Sequence, residues 1–140
     1  MQRHNAILLM GPATSGKNTQ ANKLVGIYGF KHLDSSWMYD RTDSITSHLK
    51  KFHGHDEDLK INPGYFPDQL AADLLSYNLG GIEFSKTVLL TGTPRNLEQK
   101  LLIKELVNVQ AVIHLHMPDS VHAQAQYLFS RAQKRGRESD

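Results

Sequence analysis

Residues 11–19 read Gly-Pro-Ala-Thr-Ser-Gly-Lys-Asn-Thr. This is close to G-x-x-x-x-G-K-[ST], a loop whose backbone amides turn inward around phosphate oxygens. The residue types have physical reasons. Gly11 and Gly16 let backbone approach an anion, Lys17 can reach the terminal phosphates, and a following hydroxyl can hold Mg²⁺. Asn18 stands where that hydroxyl is expected and Thr19 follows it. A helix starting at Lys17 would point its positive end at the same anion. The competing reading is a chance glycine-lysine loop, and the order strand, loop, helix argues against it.

Such a loop needs a strand to deliver it and a helix to follow it. Residues 6–10 (AILLM) form an apolar run that stops at Gly11, the pattern of a strand buried on both faces of a parallel sheet. From Lys17 to about Tyr28 the spacing predicts a helix with Ala21, Leu24, Val25 and Tyr28 on one face, stopped at Gly29. Residues 31–33 suggest a short strand. The chain is then polar from Asp34 to Pro63, but Ile45, Leu49 and Phe52 recur at helical spacing and predict a helix over 44–52. Pro67 suits the first position of another helix, with Leu70, Leu74 and Tyr77 on its face and Gly80-Gly81 breaking it. Residues 87–90 (TVLL) are a second buried-strand candidate, ending in Thr91-Gly92. Asn96 and Gln99 resemble a capping box that opens a helix to about Leu106. Residues 112–115 (VIHL) give a further strand, and Pro118-Asp119 starts a final helix toward Arg131. Strands alternating with helices predict an α/β fold with a parallel sheet and helices on both faces. Ligands of such sheets bind at the carboxyl ends of the strands, where Gly11, Asp34, Gly92 and Met117 fall.

The composition excludes several classes. The 140 residues suit one domain, and 39% hydrophobic residues can build a core. With 16 basic and 14 acidic residues, the net charge of +2 says little about partners. Arg131, Lys134, Arg135 and Arg137 cluster near the end; such a cluster is by default a solvated helix end, and alternatively a phosphate clamp, since arginine meets phosphate as a bidentate fork. No cysteine is present, which excludes disulfides and thiolate metal sites. No apolar run reaches the roughly 20 residues of a membrane span. The apolar start is too short for a secretory leader, so a cytoplasmic protein is expected.

The late hydroxyl is informative. GPATSGKNTQ closely resembles the GxPGxGKGTQ loop of adenylate kinases and related nucleoside monophosphate kinases, where the hydroxyl also comes one residue late. Four further segments agree in order. Residues 28–35 (YGFKHLDS) are similar to the YGxxHLDSG or YGxxxISTG stretch, and Met38-Tyr39 fits its LDSGxMYR variants. Residues 65–68 (YFPD) look like LVPDE, and residues 89–96 (LLTGTPRN) look like LLDGFPRT, with Gln99 at the family's glutamine. Arg131 and Gly136-Arg137, ending in Asp140, resemble the R-x(5)-R-x-D-D lid signature.

The resemblance implies a P-loop three-layer α/β fold: one domain over 1–140, with 34–78 as a helical monophosphate-binding insertion and 131–140 as the start of a lid. Gly11, Ala13, Thr14, Ser15, Gly16, Lys17, Asn18 and Thr19 would hold the ATP phosphates, with Thr19 on Mg²⁺. Ser35, Tyr39, Gly92, Arg95 and Gln99 would bind the monophosphate, Arg95 gripping its phosphate and Gln99 its base. Lys17, Arg95, Arg131 and Arg137 would act on the transferred group, the last two closing over both nucleotides. The implied activity is transfer of the ATP γ-phosphate to a nucleoside monophosphate. AMP is the first acceptor expected; CMP or UMP is the alternative, because LDSSWMY is also similar to cytidylate kinases. Such transfer depends on positioning and positive charge, with water excluded by a closing lid. The implied partners are small-molecule nucleotides, with neither nucleic acid nor membrane, and the oligomeric state is left open.

The chain departs from the pattern at several positions. Thr91 stands for the LLDG aspartate, Trp37 for the STGD aspartate and Asp40 for the following arginine, with Arg41 one place later. Thr14 and Asn18 replace loop glycines, and Asn18 is positioned to crowd the phosphates. The family's pattern continues past the equivalent of Asp140 with an arginine, a strand and a helix. Two outcomes are expected from these departures: a kinase slowed by weaker Mg²⁺ organisation at Thr91, or a nucleotide-binding remnant or fragment without turnover. A kinase acting on another small metabolite is a further alternative. Elsewhere, His53, His55, Asp56 and Asp58 could ligate a metal, but ligand types alone favour a solvated loop. His114 and His116 share a strand face and are expected to be packed or hydrogen-bonded. Asp34 could orient the monophosphate, bind a ribose hydroxyl or cap the next helix. Trp37 and Tyr39 could stack on a base, though such aromatics more often pack.

Overall fold

A computed structural model describes residues 2–12, 15–53, 67–116 and 129. Among the described residues four strands form one sheet: β1 (His4–Met10), β2 (Lys31–Asp34), β3 (Val88–Thr91) and β4 (Val107–His114). Their order is β2-β3-β1-β4 and every pair is parallel. Helix α1 (Lys17–Tyr28) connects β1 to β2, and α5 (Leu97–Lys104) connects β3 to β4. Between β2 and β3 lie α2 (Ser35–Asp40), α3 (Ser44–Phe52) and α4 (Asp68–Leu79).

The apolar runs feed two cores because successive strand side chains point to opposite faces. Leu9, Leu89 and Ala21 form the core under α1, with Ile7 and Leu24 packed beside them. On the other face Ala6, Leu8, Leu33 and Leu90 meet Leu70, Leu74 and Leu75 of α4 and Ile103 of α5. The result is helix, sheet, helix in three layers. Each fully buried leucine stabilises by about 1.5–3 kcal/mol. Truncating Leu75, which is buried completely, should cost about 2–5 kcal/mol.

Helix ends follow local chemistry. Gly29 closes α1 at φ +70 with its N–H on the Val25 carbonyl, a left-handed cap that favours glycine. Asp43 caps α3 by accepting from the Thr46 amide at 2.9 Å and the Thr46 hydroxyl at 3.1 Å. Those bonds hold its carboxyl below the usual carboxylate range, the backbone amide foremost. Pro67 is the cap residue of α4 rather than its first helical residue.

Several expectations need correction. Tyr28 is exposed and stacks on Phe30 at 5.2 Å between ring centroids. In α3 the buried residue is Thr46, while Ile45 and Phe52 are exposed and only Leu49 packs on the core. The capping bonds to Asp43 turn Thr46 inward, and α3 lies at the periphery against α4. Helix α5 ends at Lys104 because the Glu105 and Leu106 amides turn back on Leu102 and Ile103. β4 begins at Val107, with Gln110 unpaired at a bulge opposite Ala6 and Ile7. Polar residues alternate there because β4 is the outermost strand among the described residues, and most of its side chains are exposed. His114 and His116 are exposed, which removes the packed alternative expected of them and leaves the hydrogen-bonded one. Met117 and the expected helix from Pro118-Asp119 lie outside the described residues. Among the described residues no helix is long and apolar enough to cross a membrane.

Candidate functional site

The order β2-β3-β1 sets three carboxyl ends side by side, and three loops leave from there. The loop after β1 turns at Gly16, which is buried with φ +96; a side chain there would be strained. At Gly11 a Cβ would meet the Ser15 Oγ at 2.7 Å and the Leu115 Cβ at 3.1 Å. The Ser15 amide donates to the Pro12 carbonyl at 3.1 Å. Its hydroxyl is buried with no hydrogen-bond partner among the described residues, an orphan that an added anion would satisfy. Lys17 Nζ donates to the Gly11 carbonyl at 2.6 Å, lying over its own loop. Burial pushes the Lys17 ammonium's pKa down; the nearby Arg95 charge adds to this and Asp34 opposes it. Asn18 and Thr19 are exposed on the first turn of α1, so Asn18 does not fill the loop. Ala13 and Thr14 lie outside the described residues.

At the end of β2, Asp34 uses both carboxylate oxygens. Oδ1 accepts from the amides of Ser36 at 2.9 Å and Trp37 at 3.4 Å, capping α2. Oδ2 accepts from the hydroxyl of Thr91, at the end of β3, at 2.7 Å. His32 Nε2 lies 2.7 Å from the same hydroxyl. A hydroxyl has one proton, and it goes to the carboxylate, so the network assigns His32 as the Nε2–H donor. Burial pushes the His32 pKa down, with Asp34 opposing.

The loop after β3 is tied internally. The Gly92 carbonyl accepts from Ser35 Oγ at 3.0 Å and from Arg95 Nε at 2.8 Å. Gly92 has φ +76, and a Cβ on it would collide with Ser35 Oγ. Gln99 is buried, and its Oε1 accepts from the Arg95 amide at 2.9 Å and the Thr93 hydroxyl at 3.4 Å. The capping box is thus half formed. Asn96 accepts from the Gln99 amide at 2.8 Å, while the Gln99 side chain reaches past Asn96 to residue 95. Ser35, Met38, Ala71, Leu74 and Thr93 line a small crevice beside this loop.

The aromatic and metal candidates separate. Tyr39 packs on the core with the Lys50 ammonium 4.3 Å above its ring. Trp37 is 53% exposed, against the packing expected of it, with the Arg41 guanidinium 5.3 Å from its ring. Arg41 is bound to Asp43 at 2.9 Å and to Asn78 at 2.6 Å, and so braces α2 against α3 and α4. His53 pairs with Asp73 at 2.7 Å; His55, Asp56 and Asp58 lie outside the described residues, as do Arg131 and Arg137. No group of three or more His, Cys, Asp or Glu able to hold a metal occurs among the described residues. The oxygen donors present, the Thr19 hydroxyl and the Asp34 carboxylate, nevertheless fit Mg²⁺, which commonly takes one or two carboxylates plus substrate phosphates.

The structure therefore brings Gly11, Ser15, Gly16 and Lys17 together with Ser35, Gly92 and Arg95. Gln99 sits beneath them and Tyr39 to the side. Sequence reasoning read Thr91 only as a missing carboxylate and passed over His32. The acidic group beside Thr91 comes from the neighbouring strand, a relation that only strand order reveals.

No protein-family model matches the chain. The chain is similar to the adenylate kinase of Baumannia cicadellinicola, 33% identical over 116 residues, which cover 82% of this chain and 53% of that protein. The adenylate kinase of Phocaeicola vulgatus is 28% identical over 141 residues, 95% of this chain and 68% of that protein. The adenylate kinase of Prochlorococcus marinus is 30% identical over 145 residues, 100% of this chain and 72% of that protein. The chain thus spans between about half and three quarters of the length of these relatives. With the phosphate-type loop, the parallel sheet and similarity across its whole length, the chain belongs to the adenylate kinase family.

Proposed function

We propose that the chain transfers the γ-phosphate of ATP to a nucleoside monophosphate, with AMP as the acceptor. The observation that carries this is the approach of Lys17, from the loop after β1, and Arg95, from the loop after β3, close enough that the guanidinium charge acts on the Lys17 ammonium. Two cations on adjacent strand ends suit two phosphate groups, one from each nucleotide. Phosphoryl transfer asks for such positioning and charge more than for covalent chemistry. In this reading the backbone amides of Gly11, Ala13, Thr14, Ser15, Gly16, Lys17, Asn18 and Thr19, together with the Lys17 ammonium, bind the ATP phosphates. Thr19 would hold the Mg²⁺ that accompanies ATP, and the metal would supply charge neutralisation when bound. Arg95, steadied by the Gly92 carbonyl and by Gln99 under its amide, grips the acceptor's phosphate. Ser35, Tyr39 and the crevice next to Thr93 lie on the acceptor's side. Arg131 and Arg137 are assigned to the closing lid by the sequence resemblance alone. The reading places the protein in the cytoplasm, with nucleotides as partners.

The test is a transfer assay with ATP, Mg²⁺ and AMP, CMP, UMP or dTMP in turn, with Lys17→Ala as control. Diphosphate that disappears in the variant supports the reading and names the acceptor. A second reading, nucleotide binding without turnover, is favoured by Trp37 and Asp40 at two charged positions of the family pattern. ATP binding with no diphosphate from any acceptor would decide for it.

A further inference from the structure

We propose that Asp34 supplies, from the end of β2, the carboxylate that holds the hydrated Mg²⁺ of bound ATP, with Thr91 as its positioning residue. The proposal rests on the kinase reading above. Capping α2 requires one carboxylate oxygen, and serine or asparagine would serve as well. The second oxygen is held separately, at 2.7 Å, by the hydroxyl of Thr91. Thr91 is fully buried, and its hydroxyl also receives the His32 Nε2–H at 2.7 Å, so its own proton is directed to Asp34. His32 and Thr91 thus form an orienting chain behind one carboxylate, of the kind that sets ligands around metals.

Charge makes the same case. Asp34 lies near the Lys17 ammonium, where the reading places the triphosphate. A bare carboxylate there repels a polyanion, and a divalent cation between them turns the repulsion into attraction. Each carboxylate oxygen offers about two lone-pair sites, so the bonds already made leave room for metal-bound water. The carboxylate that seemed lost at Thr91 has its counterpart on the adjacent strand.

The experiment measures ATP affinity by calorimetry, with excess Mg²⁺ and separately with EDTA, for the whole chain and two variants. Asp34→Asn keeps an oxygen to cap α2; Thr91→Val leaves Asp34 and its cap intact but removes the hydroxyl. The expected result is that the tightening of ATP by Mg²⁺ shrinks about tenfold in Asp34→Asn and less in Thr91→Val. Metal-free ATP should bind Asp34→Asn at least as tightly as wild type, a signature that structural damage does not give. The double variant Asp34→Ser with Thr91→Asp, which returns the carboxylate to β3, should recover the Mg²⁺ effect. An unchanged Mg²⁺ effect in both single variants overturns the proposal and leaves the kinase reading standing. Absence of ATP binding to wild type in either buffer overturns both.

Discussion

The Thr91 hydroxyl donates to the Asp34 carboxylate across 2.7 Å, joining the ends of two adjacent strands that are 57 residues apart in sequence. This bond decides what a substitution at Thr91 does. Placing a second carboxylate there sets two like charges in contact, so one must take up a proton. Thr91→Asp alone should therefore fail to speed a kinase that looks deficient at this position. Turnover raised severalfold by Thr91→Asp alone, measured beside the double variant with Asp34→Ser, would contradict this.

Lys17→Ala removes the ammonium that lies over the loop at the Gly11 carbonyl. Losing one preorganised donor at a transferring phosphoryl group costs about 10²–10³-fold in rate. Transfer should fall by at least that much while the melting temperature stays close to wild type. A variant that keeps a tenth of the activity or more would remove Lys17 from the site.

Arg95→Lys keeps the charge but loses the planar fork that meets phosphate bidentately. It also loses the guanidinium geometry that reaches the Gly92 carbonyl. The expected outcome is a KM for the monophosphate raised about tenfold or more, with ATP affinity little changed. Titrating each nucleotide separately distinguishes this from a general loss of the loop.

Gly92→Ala should destabilise by about 1–3 kcal/mol, because φ is +76 and the new Cβ meets Ser35 Oγ. Adding Ser35→Ala removes the collision but not the backbone strain. Urea denaturation of the two single variants and the double should then show a double-variant cost smaller than the sum. Strict additivity would mean that the two residues do not touch.

Burial lowers the His32 pKa below its ordinary 6.5, with Asp34 opposing. As pH falls, the unfolded chain takes the proton first, so His32 contributes a loss of stability that begins below that ordinary value and grows as acid is added. His32→Leu removes this linkage. The variant should be less stable near neutrality by about 1 kcal/mol, having lost one hydrogen bond. Its further loss between about pH 7.5 and about pH 5 should be smaller than that of wild type. Chemical denaturation at both pH values checks the difference.

Most elements and their order are legible in the sequence; α2, the short helix over Ser35–Asp40, is not, because its residues carry no apolar period. Apolar runs such as 6–10 and 87–90 must be buried on both faces, and Gly29 and the Asn96–Gln99 pair mark helix ends through local backbone chemistry. The loop at 11–19 carries its chemistry in its own spacing, so Lys17 could be named without a fold. The rest depended on what lies across from each residue. The sequence predicts a shorter β4 because Val107 and Val109 alternate with polar side chains, which the outermost place of β4 among the described strands accommodates. The inward turn of Thr46, the exposure of Trp37 and the bracing role of Arg41 follow from packing between helices that share no local signal. Asp34 had several open readings from sequence, as a ligand or a helix cap. The tertiary structure makes it the cap of α2 and places its other oxygen on Thr91, because strand order sets β2 beside β3, and sequence distance carries no information about that adjacency.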